Sequence, residues 1–259
     1  MPERSDLELL MDAARQAGEI SRGFFRRDVK AWEKPDSQGP VTECDLAVDE
    51  MLKDLLCTAR PNYGWLSEET PDSTARLERE TVFVIDPLDG TRAFIEGSPT
   101  WAHSLAVVHK GKPIAGVVYL PINDKLYVAA RGEGAQLNGE SLHASTRADL
   151  TGAKMLATRP SFEAHNWVDA QVPDVKRSHR SSLAYRMSLI AQGQYDAMLT
   201  LRATWEWDIA AGALIIEEAG GIATDRKGDS LEFNNPHPQV NGVVAAGAPL
   251  HASLRARIL

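Results

Sequence analysis

Cysteine is scarce: Cys44 and Cys57 are the only two in 259 residues. A pair at this spacing supports neither a disulfide framework nor a zinc site, so a reducing, cytoplasmic setting is the simpler expectation. Long apolar runs are missing too, and no window approaches the ~20 residues that a membrane-spanning helix needs. The opening stretch MPERSDLELLMDAARQAG is charged throughout and has no apolar signal core, so no export signal is expected. Positive charge is in deficit, with 28 Lys and Arg against 36 Asp and Glu and a net charge of -8. That balance argues against a nucleic-acid polymer or a membrane surface as partner, since both want a basic face. It admits a small anionic substrate only where bound cations reverse the sign locally.

What is present fits a globular chain, with 43% hydrophobic and 25% charged residues and no internal repeat. Leu10, Ala13, Ala14, Ala17, Ile20 and Phe24 line one helical face. A polar, turn-rich stretch follows at 33–40, and then a second helix from about Asp45 that turns Val48, Met51, Leu52, Leu55 and Leu56 inward. TVFVID (81–86) reads as a short buried strand. From Ser104 to about His143, short apolar strands broken by Gly, Pro and Asn-Asp turns predict an antiparallel meander. Beyond it the elements alternate: a strand in MLATRP, a helix in SSLAYRMSLIAQG, a strand in YDAMLTL, a helix in DIAAGALIIEEAGG and a last strand in NGVVAAG. The expected architecture is layered α/β with mixed sheets. Two halves, 1–145 and 146–259, form one integrated unit.

The stretch VIDPLDGT (84–91) drives an apolar strand into two carboxylates three residues apart. Like charges so close are costly unless a cation sits between them. Acidic residues recur in VTECD (Asp45), LSEE (Glu68, Glu69) and WEWD (Asp208). Hard divalent cations are held by such oxygens, and the Leu88 carbonyl lies between Asp86 and Asp89 in the turn. Gly90-Thr91 then opens a helix whose first amides suit a phosphate. Each motif also has a plain structural reading: DPLDG as a turn, LSEE as a solvated helix start, WEWD as a helix cap.

In this order and at these spacings, VTECD, LSEE, VIDPLDGT and WEWDIAAG resemble the inositol monophosphatase family of magnesium-dependent, lithium-sensitive phosphatases. In look the chain is closest to that family's bacterial 3′(2′),5′-bisphosphate nucleotidase branch. The resemblance implies an α-β-α-β-α sandwich, a homodimer and two or three Mg2+ ions per site. It implies Glu68, Asp86, Asp89, Asp208 and the Leu88 carbonyl as metal ligands. It implies Glu68, Asp45 and Thr91 as the group that holds and activates water. Substrate would meet Asp89, Gly90, Thr91, Ser182, Arg202 and Asp208. The reaction implied is in-line hydrolysis of a small phosphorylated metabolite, without a covalent intermediate.

Two departures bear on the substrate. Ser67 stands where the family usually has glycine. Leu201, followed by Arg202, stands where inositol phosphatases carry an acid for sugar hydroxyls. The basic run Lys176, Arg177, His179 and Arg180, with Arg202, suits a second phosphate and places 3′(2′),5′-bisphosphate nucleotides ahead of inositol 1-phosphate; the same run also reads as a solvated surface patch. Histidinol phosphate, with Glu206 receiving its amine, and sugar bisphosphates remain open. So does a regulatory binding protein on the same fold. His103 and His179 are read as ordinary polar residues. Trp205 and Trp207 are read as packing residues ahead of an adenine-stacking role.

Overall fold

The computed structural model describes residues 4–34 and 39–259. Helix α1 (Asp6–Phe24) starts where Ser5 and Glu8 form a reciprocal capping box. Its buried stripe is the expected one, from Leu10 through Ala17. In the turn-rich stretch, residues 35–38 lie outside the described residues, and the chain on either side pairs as an antiparallel hairpin. Its strands are β1 (Ala31–Glu33) and β2 (Pro40–Thr42). Helix α2 (Glu43–Ala59) follows, capped by Thr42 and Asp45.

Strand β3 (Gly64–Ser67) lies parallel to β4 (Thr81–Asp89), which leads into the short helix α3 (Thr91–Ile95). The meander is β5 (Ala102–His109), β6 (Lys112–Leu120), β7 (Lys125–Ala130), β8 (Ala135–Leu137) and β9 (Glu140–Ser141). These strands complete a seven-stranded sheet in sequence order from β3 to β9. The remaining chain supplies β10 (Lys154–Ala157), β11 (Lys176–Ser178), α4 (Leu183–Ala191), β12 (Ala197–Thr200) and β13 (Thr204–Trp205). It ends with α5 (Glu206–Glu218), β14 (Gly221–Thr224), β15 (Gln239–Val240), β16 (Val243–Gly247) and α6 (Ala248–Arg255). A five-stranded mixed sheet runs β11-β10-β12-β16-β14, and β13 pairs with β15.

Alternation along the strands explains the layers. In β5 and β6, Leu105, Val107, Ala115, Val117 and Tyr119 face one way, into a core shared with α1 and α2. Ala106, Val108, Val118 and Leu120 face the other way, into a core shared with α4 and α5. The second sheet covers that core from its far side with Leu156, Met198 and Ala245. Its outer face packs Met155, Leu199 and Val244 against Leu250 and Leu254 of α6. The result is the expected α-β-α-β-α sandwich. Because the central strands are covered on both faces, they read as apolar runs without polar alternation. Among the described residues, no helix is long and apolar enough to cross a membrane.

The sheet touches α5 where side chains are smallest. A Cβ at Gly116 would stand 3.1 Å from both Cα and O of Ala211. Gly116→Val is therefore expected to destabilise by about 1–3 kcal/mol through overpacking, read from urea unfolding. An unchanged midpoint would show that the sheet and α5 are not packed this closely.

Candidate active site

The turn at the end of β4 is built by residues that interrupt a strand. Pro87 has no N–H for the ladder, and pairing with β5 shifts register between Asp86 and Asp89. Asp86 Oδ1 accepts the Leu88 N–H at 2.8 Å. Gly90 takes φ +104°, and a Cβ there would crowd Trp101 at 3.3 Å, so glycine is required on both counts. From below, His103 donates through Nδ1 to the Pro87 carbonyl at 2.5 Å and meets Ser21 Oγ at 3.0 Å through Nε2. Burial holds His103 down at about 4, so it is a neutral strut between α1 and the turn. Sequence reading assigned it nothing, because a histidine inside a strand pattern does not announce its partners.

Three carboxylates meet above this turn. Glu68 follows β3, Asp86 ends the regular part of β4, and Asp208 lies in the first turn of α5. One oxygen from each falls within 4.8 Å of the others. Asp208 is thus a helical residue; the N-cap of α5 is Trp205. Burial first, and then the neighbouring Glu68 and Asp89 charges, raise Asp86 well above the ordinary carboxylate range. Asp208 is raised likewise, by burial and then by Asp89 and Glu68. Asp86 Oδ2 is buried with no hydrogen-bond partner among the described residues. Such an arrangement is stable only with protons or a cation in place. A cationic side chain already reaches it: Lys34 Nζ lies 2.7 Å from both Glu68 Oε1 and Glu69 Oε1. An oxygen-only donor set of this charge fits Mg2+.

Ser67, the departure from glycine, has a local partner. Its hydroxyl donates to Asp49 Oδ1 at 2.5 Å, and Thr70 donates to Asp49 Oδ2 at 2.6 Å. Asp49 of α2 thereby pins the segment that carries Glu68. On the same helix, Asp45 accepts the Thr91 hydroxyl at 3.1 Å on Oδ1 and the Thr42 N–H and O–H on Oδ2. Burial raises Asp45 to about 6 against the pull of those bonds. The Thr91 hydroxyl also lies 3.3 Å from the Leu88 carbonyl.

Asp89 faces α4. Its Oδ2 accepts the Ser182 hydroxyl and the Ala184 N–H, each at 2.6 Å. Burial raises it to about 6, partly offset by these bonds and by the Arg186 charge. Ser182 is fully buried, and its Oγ also accepts the Tyr185 N–H. It is a helix cap that orients Asp89, with its proton directed to that carboxylate. Arg202 is exposed, and its charge acts on Asp208 and Arg186, which places it at the edge of the site. Leu201 instead packs against the outer core.

Other expectations change. Glu206 is fully buried and spends both oxygens on Asn234 and Asn235, so it offers no pocket for an amine. Arg180 lies over the Tyr195 ring and donates to its hydroxyl at 3.0 Å, while Lys176, Arg177 and His179 are exposed. Trp205 and Trp207 stack on each other at 4.7 Å, in the packing role expected of them. Arg186, which no motif flagged, is nearly buried beside Asp89; only its place one helical turn after Ser182 could have pointed to it.

A carboxylate cluster in a five-layered sandwich, beside a hydroxyl–carboxylate pair and a half-buried helix start, is an arrangement suited to phosphate chemistry. The profile of the inositol monophosphatase family matches residues 3–259, and the chain belongs to that family. It is 37% identical to the Nus factor SuhB of Pseudomonas aeruginosa, over 88% of this chain and 87% of that one. It is 33% identical to inositol monophosphatase 2 of Solanum lycopersicum, over 88% and 89%. Among solved structures it is similar to an IMPase of Thermotoga maritima, with TM-score 0.83, 26% identity and 96% and 94% coverage. It is also similar to SuhB of Bartonella henselae, with TM-score 0.80, 28% identity and 96% coverage of each chain. None of these four relatives carries a bisphosphate nucleotidase name, so the branch expected from sequence gains no support from them.

The raised acids give a pH signature. With folded-state values of about 6, Asp45 and Asp89 favour the folded chain while protonated; that contribution is present at low pH and is lost as pH rises from about 4 through about 6. A cation at the cluster offsets the loss. The rise in Tm on adding Mg2+ to chelator-treated protein should be clearly larger at about pH 7.5 than at about pH 5. Equal rises at both values would mean that the ion binds away from these carboxylates.

Proposed function

We propose that the chain is a magnesium-dependent phosphomonoesterase that hydrolyses a small phosphorylated metabolite with water. The observation that carries this reading is the convergence of Glu68, Asp86 and Asp208 on one point, with Asp86 Oδ2 unpartnered. Glu68, Asp86, Asp89, Asp208 and the Leu88 carbonyl are the groups to hold the ions. Bound there, magnesium would supply positive charge for the phosphate oxygens and make a coordinated water more acidic. Thr91, held by Asp45, orients the attacking water, and Asp45 is the acceptor for its proton. Asp45's raised value, about 6, suits a group that takes a proton near neutrality. The amides of Gly90 and Thr91, at a helix start where no intrahelical partner exists, hold the phosphate in line. Glu68 adds a second hold on the water.

The same reading includes a substrate order, with 3′(2′),5′-bisphosphate nucleotides first and inositol 1-phosphate second. Arg202 at the edge of the site and the apolar packing of Leu201 support that order. Histidinol phosphate loses its rationale with Glu206 committed elsewhere. We carry over from the family a homodimer, and a cytoplasmic setting consistent with two free cysteines. A regulatory binding protein on the same fold is the second reading, and the name Nus factor borne by a relative favours it. The complete set of Asp45, Glu68, Asp86, Asp89, Thr91 and Asp208 favours catalysis.

Asp89→Asn keeps an oxygen able to accept both the Ser182 and Ala184 bonds, so the variant should fold normally. It should lose nearly all magnesium-dependent phosphate release, on the order of a hundredfold or more. The measurement is phosphate release from adenosine 3′,5′-bisphosphate, inositol 1-phosphate and fructose 1,6-bisphosphate. Substantial remaining turnover would remove Asp89 from the metal-binding group. Absence of release from every substrate by the wild-type chain with magnesium would favour the binding-protein reading.

A further inference from the structure

Among the described residues, Arg186 has no ion-pair partner. It is 8% exposed, and no described carboxylate lies within 4.0 Å of its guanidinium. Its hydrogen bonds go to neutral groups: Nε to the Arg180 carbonyl at 2.5 Å, Nη2 to His179 Nε2 at 2.8 Å and to the Ser181 carbonyl at 3.4 Å. Nη1 makes no hydrogen bond with a described residue. Clasped on one edge, the fork keeps its other corner free.

Its position follows from helix geometry. Residues four apart share a face, and the Arg186 N–H donates to the Ser182 carbonyl at 3.2 Å. Ser182 and Ala184 hold Asp89, so this end of α4 abuts the carboxylate cluster. The guanidinium lies within the fields of Asp89 and Asp208, which favour its charge, and of Arg202, which opposes it. A desolvated cation beside another cation is tolerated here only because two carboxylates stand nearby. Divalent ions on those carboxylates would cancel that compensation. Arg186 and Arg202 would then face the loaded site as uncompensated positive charge.

We propose that Arg186, assisted by Arg202, anchors a second anionic group of the substrate on the α4 side of Asp89. The substrate is then a phosphate monoester whose alcohol carries a further phosphoryl group, which suits the planar arginine fork. This inference rests on the metal-dependent phosphatase reading above. A purely structural role, in which Arg186 only clasps residues 179–181, predicts that its loss damages all substrates alike.

Two matched pairs test it: adenosine 3′,5′-bisphosphate with adenosine 3′-monophosphate, and fructose 1,6-bisphosphate with fructose 1-phosphate. Each is assayed with the magnesium-loaded full chain as wild type, Arg186→Gln, Arg186→Lys and Arg202→Gln. Affinities are also measured calorimetrically with Ca2+ replacing Mg2+, which reads binding apart from turnover. In at least one pair the wild type should prefer the doubly phosphorylated member by about tenfold or more in kcat/KM, and by a similar factor in Kd. Arg186→Gln should erase that preference, chiefly through KM, Arg186→Lys should restore part of it, and exposed Arg202→Gln should reduce it without a folding defect.

The proposal is overturned if the wild type shows no preference in either pair, or if Arg186→Gln lowers both members equally. Should Arg186→Gln fail to fold, Arg186→Lys and Arg202→Gln decide by the same ratio. Should no substrate turn over, the phosphatase reading fails and the Ca2+ affinities judge the anchor alone. A preference lost in the variants upholds it, and equal or absent binding removes it.

Discussion

Mutual repulsion among Glu68, Asp86, Asp89 and Asp208 is the constraint on which the rest of the structure depends. Like charges separated by a few ångströms in a poorly hydrated place oppose folding, and Asp86, Asp89 and Asp208 are raised above the ordinary carboxylate range. The fold spends rigid elements to hold them together. Two neighbouring strands, β3 and β4, end at the same level and carry Glu68, Asp86 and Asp89; α5, packed across the same sheet, delivers Asp208. Side chains around them fix their directions: Asp49 through Ser67 and Thr70, Ser182 through Asp89, and His103 through the Pro87 carbonyl. Lys34, from the hairpin strap, meets the outermost acids.

Different elements bring different groups to the cluster. Asp45 and Thr91 come from α2 and α3, Arg186 from α4, and Arg202 from the segment between β12 and β13. Ser67 departs from glycine beside Glu68, and Asp49 accepts the added hydroxyl. Leu201 joins the outer core.

Much of this was legible in sequence. Apolar periodicity located α1, α2, α4 and α5, and the meander showed itself through its turns. The carboxylate motifs named the cluster because acids set against apolar runs are costly and stand out in a sequence. Other parts were hidden for physical reasons. Hairpin β1–β2 and strands β3 and β11 are three or four residues long, too short for a period to register. Glu206 misled because a carboxylate in a motif looks the same whether it faces substrate or holds a backbone. Arg186 stayed unseen because its meaning lies in the missing carboxylate beside it, which is a tertiary fact.

Diffraction from crystals soaked in Mn2+, with anomalous differences recorded at its absorption edge, tests the central claim most directly. The account predicts a strong peak bounded by Glu68, Asp86 and Asp208, with Asp86 Oδ2 turned to it and Lys34 displaced from Glu68. A metal-soaked crystal with no peak at that point, and with Lys34 still seated on Glu68 and Glu69, would contradict it. The crowding would then be relieved by protons and the lysine alone.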